Sequence, residues 1–267
     1  MSRSKGFSLV ELAVALAIIA LLLAGALIPL STQIEVRNVA DTQRSMESIR
    51  EAIIGFAQAN GRLPCPADGT IAAGGTNAGK ELCPNTSGVV PWATLGVPEI
   101  DGWGRRFSYW VSPIFTDAIG TTFNNTFPSA QNPPCPSPIP TPTQSSFALC
   151  SLGSFTVNTR SESTHAANTL GSVLPAVIIS HGKNGFGAYA VGGGPRLAVP
   201  AGTDEAANAT DAGTIFYSRT RTPAAAGCVD PAPPAPSAAP ACEFDDIVVM
   251  ISSSALIARM VAAGRLP

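Results

Sequence analysis

Hydrophobic and polar positions divide the first sixty residues into two unlike halves. Residues 12–30 are almost uninterrupted apolar sequence, long enough to span a bilayer as a helix. Beyond Leu30 the pattern becomes amphipathic. Glu35, Arg37, Asp41, Arg44, Glu47, Arg50 and Glu51 take one side, while Val39, Met46, Ile49, Ile53 and Phe56 recur at helical spacing. The two halves predict one helix from Phe7 to about Asn60, which at ~1.5 Å per residue reaches on the order of 80 Å. Gly25 and Pro29 interrupt the apolar half, where a proline removes a ladder bond and favours a kink or local melting. Asn60-Gly61 followed by Pro64 supplies the stop. Such an element outreaches a bilayer, so its amphipathic half is expected to project outward and bury its apolar face in a globular head.

Past Gly61 the period falls to two. Residues 107–111 and 154–157 are β-rich, and residues 176–180 and 188–191 flank the turn-forming stretch His181-Gly182-Lys183-Asn184-Gly185, which predicts a hairpin. Residues 246–251 predict a last strand, with Ser253 as the cap of a closing helix over 255–263. Two proline-rich stretches, 128–142 and 223–240, read as loops, because proline cannot donate to a ladder.

Gly6-Phe7-Ser8-Leu9-Val10-Glu11 precedes the apolar run, and Arg3 and Lys5 precede Gly6. The motif sets a carboxylate near the head of a membrane-length helix. A charge deep in hydrocarbon costs roughly 2.5–3.5 kcal/mol, so such a residue has a partner or a function. An ordinary secretory signal has a shorter apolar core, and a plain single-span anchor needs neither the glycine nor the glutamate. The hexapeptide resembles the type IV prepilin signal. That resemblance implies cleavage after Gly6 by a membrane peptidase and N-methylation of the new amino-terminal Phe7. It also implies pairing of Glu11 with the amino terminus of a neighbouring subunit. Asp101-Gly102-Trp103-Gly104 with Tyr109, and the 179–185 stretch, resemble the Trp-Gly turn and glycine-rich turn of type II secretion pseudopilins. Here Arg105-Arg106 stands where those proteins commonly have Asn-Pro, and the long proline-rich insertions are additions.

Composition changes the picture little. Charged residues are 13% and the net charge is −2, becoming −4 once Arg3 and Lys5 leave, so no basic nucleic-acid surface is advertised. Cys65, Cys83, Cys135, Cys150, Cys228 and Cys242 all lie beyond the apolar run, and their even count predicts an oxidised head. Sequential pairing, Cys65–Cys83, Cys135–Cys150 and Cys228–Cys242, is the expectation. Zinc is disfavoured, because no Cys-x-x-Cys occurs and His165 and His181 are not at ligand spacing.

Other motifs carry less. The glycines and lysine of residues 74–80 match a phosphate loop, but Glu81 stands where a hydroxyl should meet magnesium. Ser180-His181 lacks a nucleophile elbow and reads as a strand end and turn. Asp204, Glu205, Asp211, Asp245 and Asp246 offer hard oxygen ligands, and the major pseudopilins that this chain resembles bind calcium in a loop of the head. No compact acidic loop is visible, so these read as surface carboxylates, with Asp245 and Asp246 the calcium candidates and no cofactor expected.

The expected fold class is α+β. It comprises a leader at 1–6, a membrane-spanning and filament-core helix at 7–30, its amphipathic half at 31–60, and a periplasmic head at 61–267. The head is an antiparallel sheet with disulfide-closed loops. The expected role is structural: a non-enzymatic minor pilin or pseudopilin, held in the bacterial inner membrane as a single-pass protein. Assembly would carry it into a type II secretion pseudopilus or type IV pilus. Its expected partners are prepilin peptidase, other pilin subunits and assembly-platform proteins, not nucleic acid. The alternative is a membrane-tethered binding or adhesin head that does not polymerise.

Overall fold

A computed structural model describes residues 8–117, 119, 144–161, 165–231 and 237–266, without the side chains of 22–31. Helix α1 spans Leu9–Asn60. It is continuous through Gly25 and Pro29, so the ladder bond that a proline lacks leaves the helix assignment unbroken. Its end is as expected: Gly61 is left-handed at φ 69° and donates its N–H to Ala57 O. A second cap comes from afar, where Arg265 Nε donates to Gln58 O at 2.8 Å and its Nη2 to Ala59 O. A cation at a helix C-terminus also opposes the negative end of the helix dipole.

The head contains β1 (Ser87–Val89), the short α2 (Trp92–Leu95), β2 (Arg105–Arg106), β3 (Ser108–Val111), β4 (Phe155–Arg160), β5 (Ala167–Leu174), β6 (Ala176–Ser180), β7 (Tyr189–Ala190), α3 (Asp204–Asn208), β8 (Ile215–Tyr217), β9 (Ile247–Ile251) and α4 (Ser253–Ala262). Strands β1-β3-β6-β9 form an antiparallel sheet, and β5-β4-β8 form a second one in which β8 runs parallel to β4. Met46, Ile49, Ile53 and Ala57 of α1 pack with Tyr109, Val111, Ala176 and Ile178 on one face of the first sheet. Trp110, Val177 and Ile179 alternate onto the other face, against Phe155, Val157 and Phe216 of the second sheet. Because side chains alternate across a strand, a sheet buried on both faces reads as continuous apolar sequence, as residues 176–179 do and 107–111 do apart from Ser108. The order is helix, sheet, sheet.

Two expectations are corrected. The 176–191 hairpin does not form: β6 is flanked by β3 and β9, while β7 pairs with β2. Both edges of β6 are taken, so the turn after it leads the chain away. The cap of α4 is Ser252, whose side chain accepts from Ala255 N at 3.3 Å; Ser253 Oγ donates to Val173 O instead. Strands β1, β2, β5 and β8 and helices α2 and α3 went unpredicted, since β5 alternates weakly and the others are very short.

Two expected disulfides, Cys65–Cys83 and Cys228–Cys242, are present. Cys150 is disulfide-bonded, and its expected partner Cys135 lies outside the described residues. So do Gly6, Phe7 and the whole 128–142 loop. Among the described residues no helix is long and apolar enough to cross a membrane.

Candidate functional site

Two places merit a functional reading. The first is the amino-terminal end of α1. Ser8 caps the helix, accepting from Glu11 N at 3.2 Å, while its own backbone N–H donates to Glu11 Oε2 at 2.9 Å. This reciprocal box holds the Glu11 carboxylate back over the first turn, toward the preceding residues. Behind it the helix is bare: Leu9 is 85% exposed and Leu21 76%, with Leu12, Val14, Leu16, Ile18 and Ile19 all more than half exposed. No part of the described head covers them, whereas Met46, Ile49 and Ile53 further along are fully buried.

The head meets the stem through the Trp-Gly turn. Asp101 Oδ1 accepts from Trp103 N and Arg105 N, both at 2.9 Å, and its Oδ2 accepts from Ser180 Oγ at 2.6 Å. Gly102 N donates to Thr42 Oγ1 of α1, and a Cβ on Gly102 would stand 2.7 Å from Asn38 O. Only glycine permits that approach. Nearby, Glu35 accepts from Trp103 Nε1 at 3.3 Å and Arg221 Nη1 at 2.9 Å, and Lys183 Nζ lies 3.9 Å away. One carboxylate of the stem thus collects groups from three separate loops.

The second place is a polar cluster where the 181–187 turn, α3 and the start of β9 converge. Ser108 Oγ and His181 Nε2 are 2.9 Å apart, and Arg196 Nη1 donates to the same oxygen at 3.0 Å. His181 Nδ1 stands 3.7 Å from Asp246 Oδ1, too far for a hydrogen bond, and neither atom has a partner. The order Ser, His, Asp imitates a hydrolytic triad. Ser108 and His181 are fully buried, however, and Arg196 already engages the hydroxyl. Burial, then the positive charge of Arg196, pushes the imidazole down to about 3, so it is neutral at physiological pH. Its partner in that geometry is Ser108, not the Ser180 beside it in sequence.

Carboxylates thought to lie on the surface are gathered here. Glu205, Asp245 and Asp246 bring one oxygen each to within 4.8 Å of one another. Glu205 is 1% exposed and Asp246 5%. Glu205 accepts from Asn184 Nδ2 and Asp245 N, Asp245 Oδ2 from the N–H groups of Lys183 and Asn184, and Asp246 Oδ2 from Asn208 Nδ2. Asp245 Oδ1 and Asp246 Oδ1 have no partner. Burial pushes Asp245 up to about 6 and raises both Glu205 and Asp246, Glu205 further through the neighbouring Asp246 charge. Glu205, Asp245 and Asp246 are the described residues whose hard oxygens could hold a metal ion. Asp204 and Asp211 are elsewhere: Asp204 pairs with Arg160 and Arg219, and Asp211 with Arg196. The sequence signal for Glu205 was Thr203, which caps α3 by accepting from Ala206 N and places two acids in the first turn.

At the 74–80 stretch, Glu81 is held by Arg62 at 2.8 Å and Cys65 N at 3.1 Å, against the disulfide. Its carboxylate closes that loop.

The long helix α1 thus lies on an antiparallel sheet and carries a capped apolar stem that the described head leaves uncovered. A family model for the prokaryotic N-terminal methylation motif matches residues 1–27, so the chain carries the prepilin-type signal of type IV pilins and pseudopilins. No curated protein and no solved structure matches the chain.

Proposed function

We propose that the protein is a structural subunit, a minor pilin or pseudopilin, stored in the bacterial inner membrane with its head in the periplasm. Prepilin peptidase cuts after Gly6, Phe7 is methylated, and assembly-platform proteins draw the subunit into a type II secretion pseudopilus or a type IV pilus. The observation that carries this reading is the methylation motif at the head of a capped helix whose first turns are apolar and uncovered. Apolar surface of that extent is unfavourable in water and needs lipid or neighbouring stems around it.

Glu11 supplies the logic of assembly. Its carboxylate is folded back by Ser8 toward the chain start, where the amino group of a neighbouring Phe7 would find it. Low dielectric strengthens that attraction and desolvation offsets much of it, so the pair sets register more than it adds net stability. The large insertions of the head suit a subunit at the tip or at low abundance, where fewer neighbours crowd it. Its role is assembly, not catalysis.

Mass spectrometry of protein from cells containing a prepilin peptidase tests the reading. The expected amino terminus is Phe7 carrying one methyl group, and replacing Gly6 with a bulky residue is expected to block the cut. Intact Met1, or a cut beyond Leu30, overturns the assignment. Recovery in sheared filaments separates an assembling subunit from a tethered binding head.

A further inference from the structure

Strand β9 closes the first sheet, and only one of its edges is used. Its pairing with β6 runs without a shift from Ser180 opposite Ile247 to Ala176 opposite Ile251. Among the described residues no strand pairs with the opposite edge. Which backbone groups point that way follows from the alternation of an antiparallel ladder. Ser112 N donates to Pro175 O at 2.8 Å, one step beyond the β3–β6 register, so Val177 and Ile179 are the residues of β6 that bond toward β3. Ala176, Ile178 and Ser180 therefore bond toward Ile251, Val249 and Ile247. The N–H and C=O groups of Val248 and Met250 are left facing outward. Sheet edges are commonly guarded by bulges, lysine or proline, and β9 has none of these: residues 247–251 are all apolar and in unbroken register. Ile247 and Val249 pack toward α1, and Val248 and Met250 toward the second sheet, yet all four are only half-buried. The edge leads into a groove of about 400 Å³ between Arg50, Glu51 and Ile54 of α1, Met250, and Ala255 and Arg259 of α4. Arg50 and Arg259 share Glu51, and Arg50 Nε is buried without a partner. An unsatisfied guanidinium N–H beside unsatisfied backbone groups calls for an acceptor carried on an extended chain.

We propose that the open edge of β9 receives an extended, largely apolar segment of a different subunit, which adds a strand to the first sheet and sets an acidic side chain at Arg50 and Arg259. In strand addition, backbone hydrogen bonds supply affinity and alternate side chains supply selectivity. That the donor is a filament subunit rests on the assembly reading and on the wall of the groove. Arg50, Glu51 and Ile54 belong to α1, so the groove continues the uncovered stem along which a neighbouring subunit lies in a filament. A second copy joined edge to edge does not fit. The twofold that pairs β9 with β9 stands perpendicular to the sheet, and α1 lies on that sheet, so the two apolar stems would point in opposite directions. One membrane cannot hold both.

Binding is read first without assembly, on the full chain in detergent, by fluorescence anisotropy of a labelled peptide Thr-Val-Thr-Val-Glu-Thr and of its counterpart with Lys in place of Glu. The acidic peptide is expected to bind at least about tenfold more tightly, and Arg259→Glu, at an exposed position, is expected to abolish that preference. Val248→Pro removes one outward N–H and leaves the ladder to β6 intact, so both peptides should bind about tenfold more weakly. Should that variant unfold, Arg259→Glu and cross-linking still decide the matter. In cells, a photo-crosslinking residue in place of the exposed Ala255 is expected to join the chain to a different protein with a methylated amino terminus. Arg259→Glu should deplete that adduct, and the same crosslinker in place of the exposed Lys80 should not form it. Equal binding of the two peptides by the parent, an unchanged preference in Arg259→Glu, or an adduct with a second copy overturns the proposal. Methylated Phe7 without the adduct overturns it too and leaves the assembly reading standing. Intact Met1 overturns that reading and with it the donor named here.

Discussion

Single carboxylates do different work at the two ends of this molecule. Glu11 is expected to matter only between subunits: Glu11→Leu should keep membrane insertion and cleavage, since it removes an expensive charge and leaves Gly6 alone, yet lower recovery in sheared filaments beside a wild-type copy. Normal recovery would mean that Glu11 is not the assembly contact. In the head, burial raises Glu205 and Asp246 above their ordinary range, so the folded state retains a proton that the unfolded state has released. Stability conferred by such a group is complete below its unfolded pKa and is lost as pH rises through the folded value. His181 acts in the opposite sense, being depressed to about 3, and its contribution is lost as pH falls below its ordinary 6.5. Above pH 6.5 the imidazole is neutral in both states and the carboxyls act alone. The unfolding free energy from urea titration is therefore expected to fall from pH 6.5 to 8, by about 1.4 kcal/mol per pH unit for each proton still held. Glu205→Gln should flatten that slope; a midpoint that rises over this interval would show the acids ionised and compensated.

At the scale of the element, α1 is two helices in function though one in backbone. Met46, Ile49 and Ile53 close the core against the first sheet, whereas Ile34 is 55% exposed on the stem. Ile53→Ala should cost about 2–5 kcal/mol in urea unfolding, because the cavity it leaves adds to the lost transfer energy. Ile34→Ala should change stability by less than about 0.5 kcal/mol, as surface substitutions do. Its effect is expected in filament yield instead, and comparable losses of stability from both would contradict the division. The charged flank of the same half, with Arg37 and Arg44 near Asp41 and Arg50 near Glu47, follows the i, i+3 and i, i+4 spacing and adds only tenths of a kcal/mol per pair.

For the whole molecule, the disulfides restrain loops with little apolar core of their own. Replacing Cys228 and Cys242 together with serine should destabilise the chain by about 3 kcal/mol in the chain-entropy view of a loop with 14-residue separation. Non-reducing peptide mapping of the folded protein should recover Cys65–Cys83 and Cys228–Cys242, and is expected to join Cys150 to Cys135. Free thiols throughout would refute an oxidised head.

Local pattern was enough for the signal motif, for α1 with its change of character and its Gly61 stop, and for the apolar strands of the first sheet. Each of these is written in residues within one or two turns or one strand of each other, where spacing alone dictates which face is apolar. Sequential cysteines at short separation were legible for the same reason. Which strand lies beside which was not. The 181–185 stretch looks like a hairpin turn, but the partners of β6 are β3 and β9, chosen by burial of both sheet faces. Nor could sequence place Glu205 beside Asp245 and Asp246, or His181 between Ser108 and Asp246. Those meetings exist only once α3 docks and β9 takes the edge of the sheet, because the groups are far apart along the chain and no local period links them.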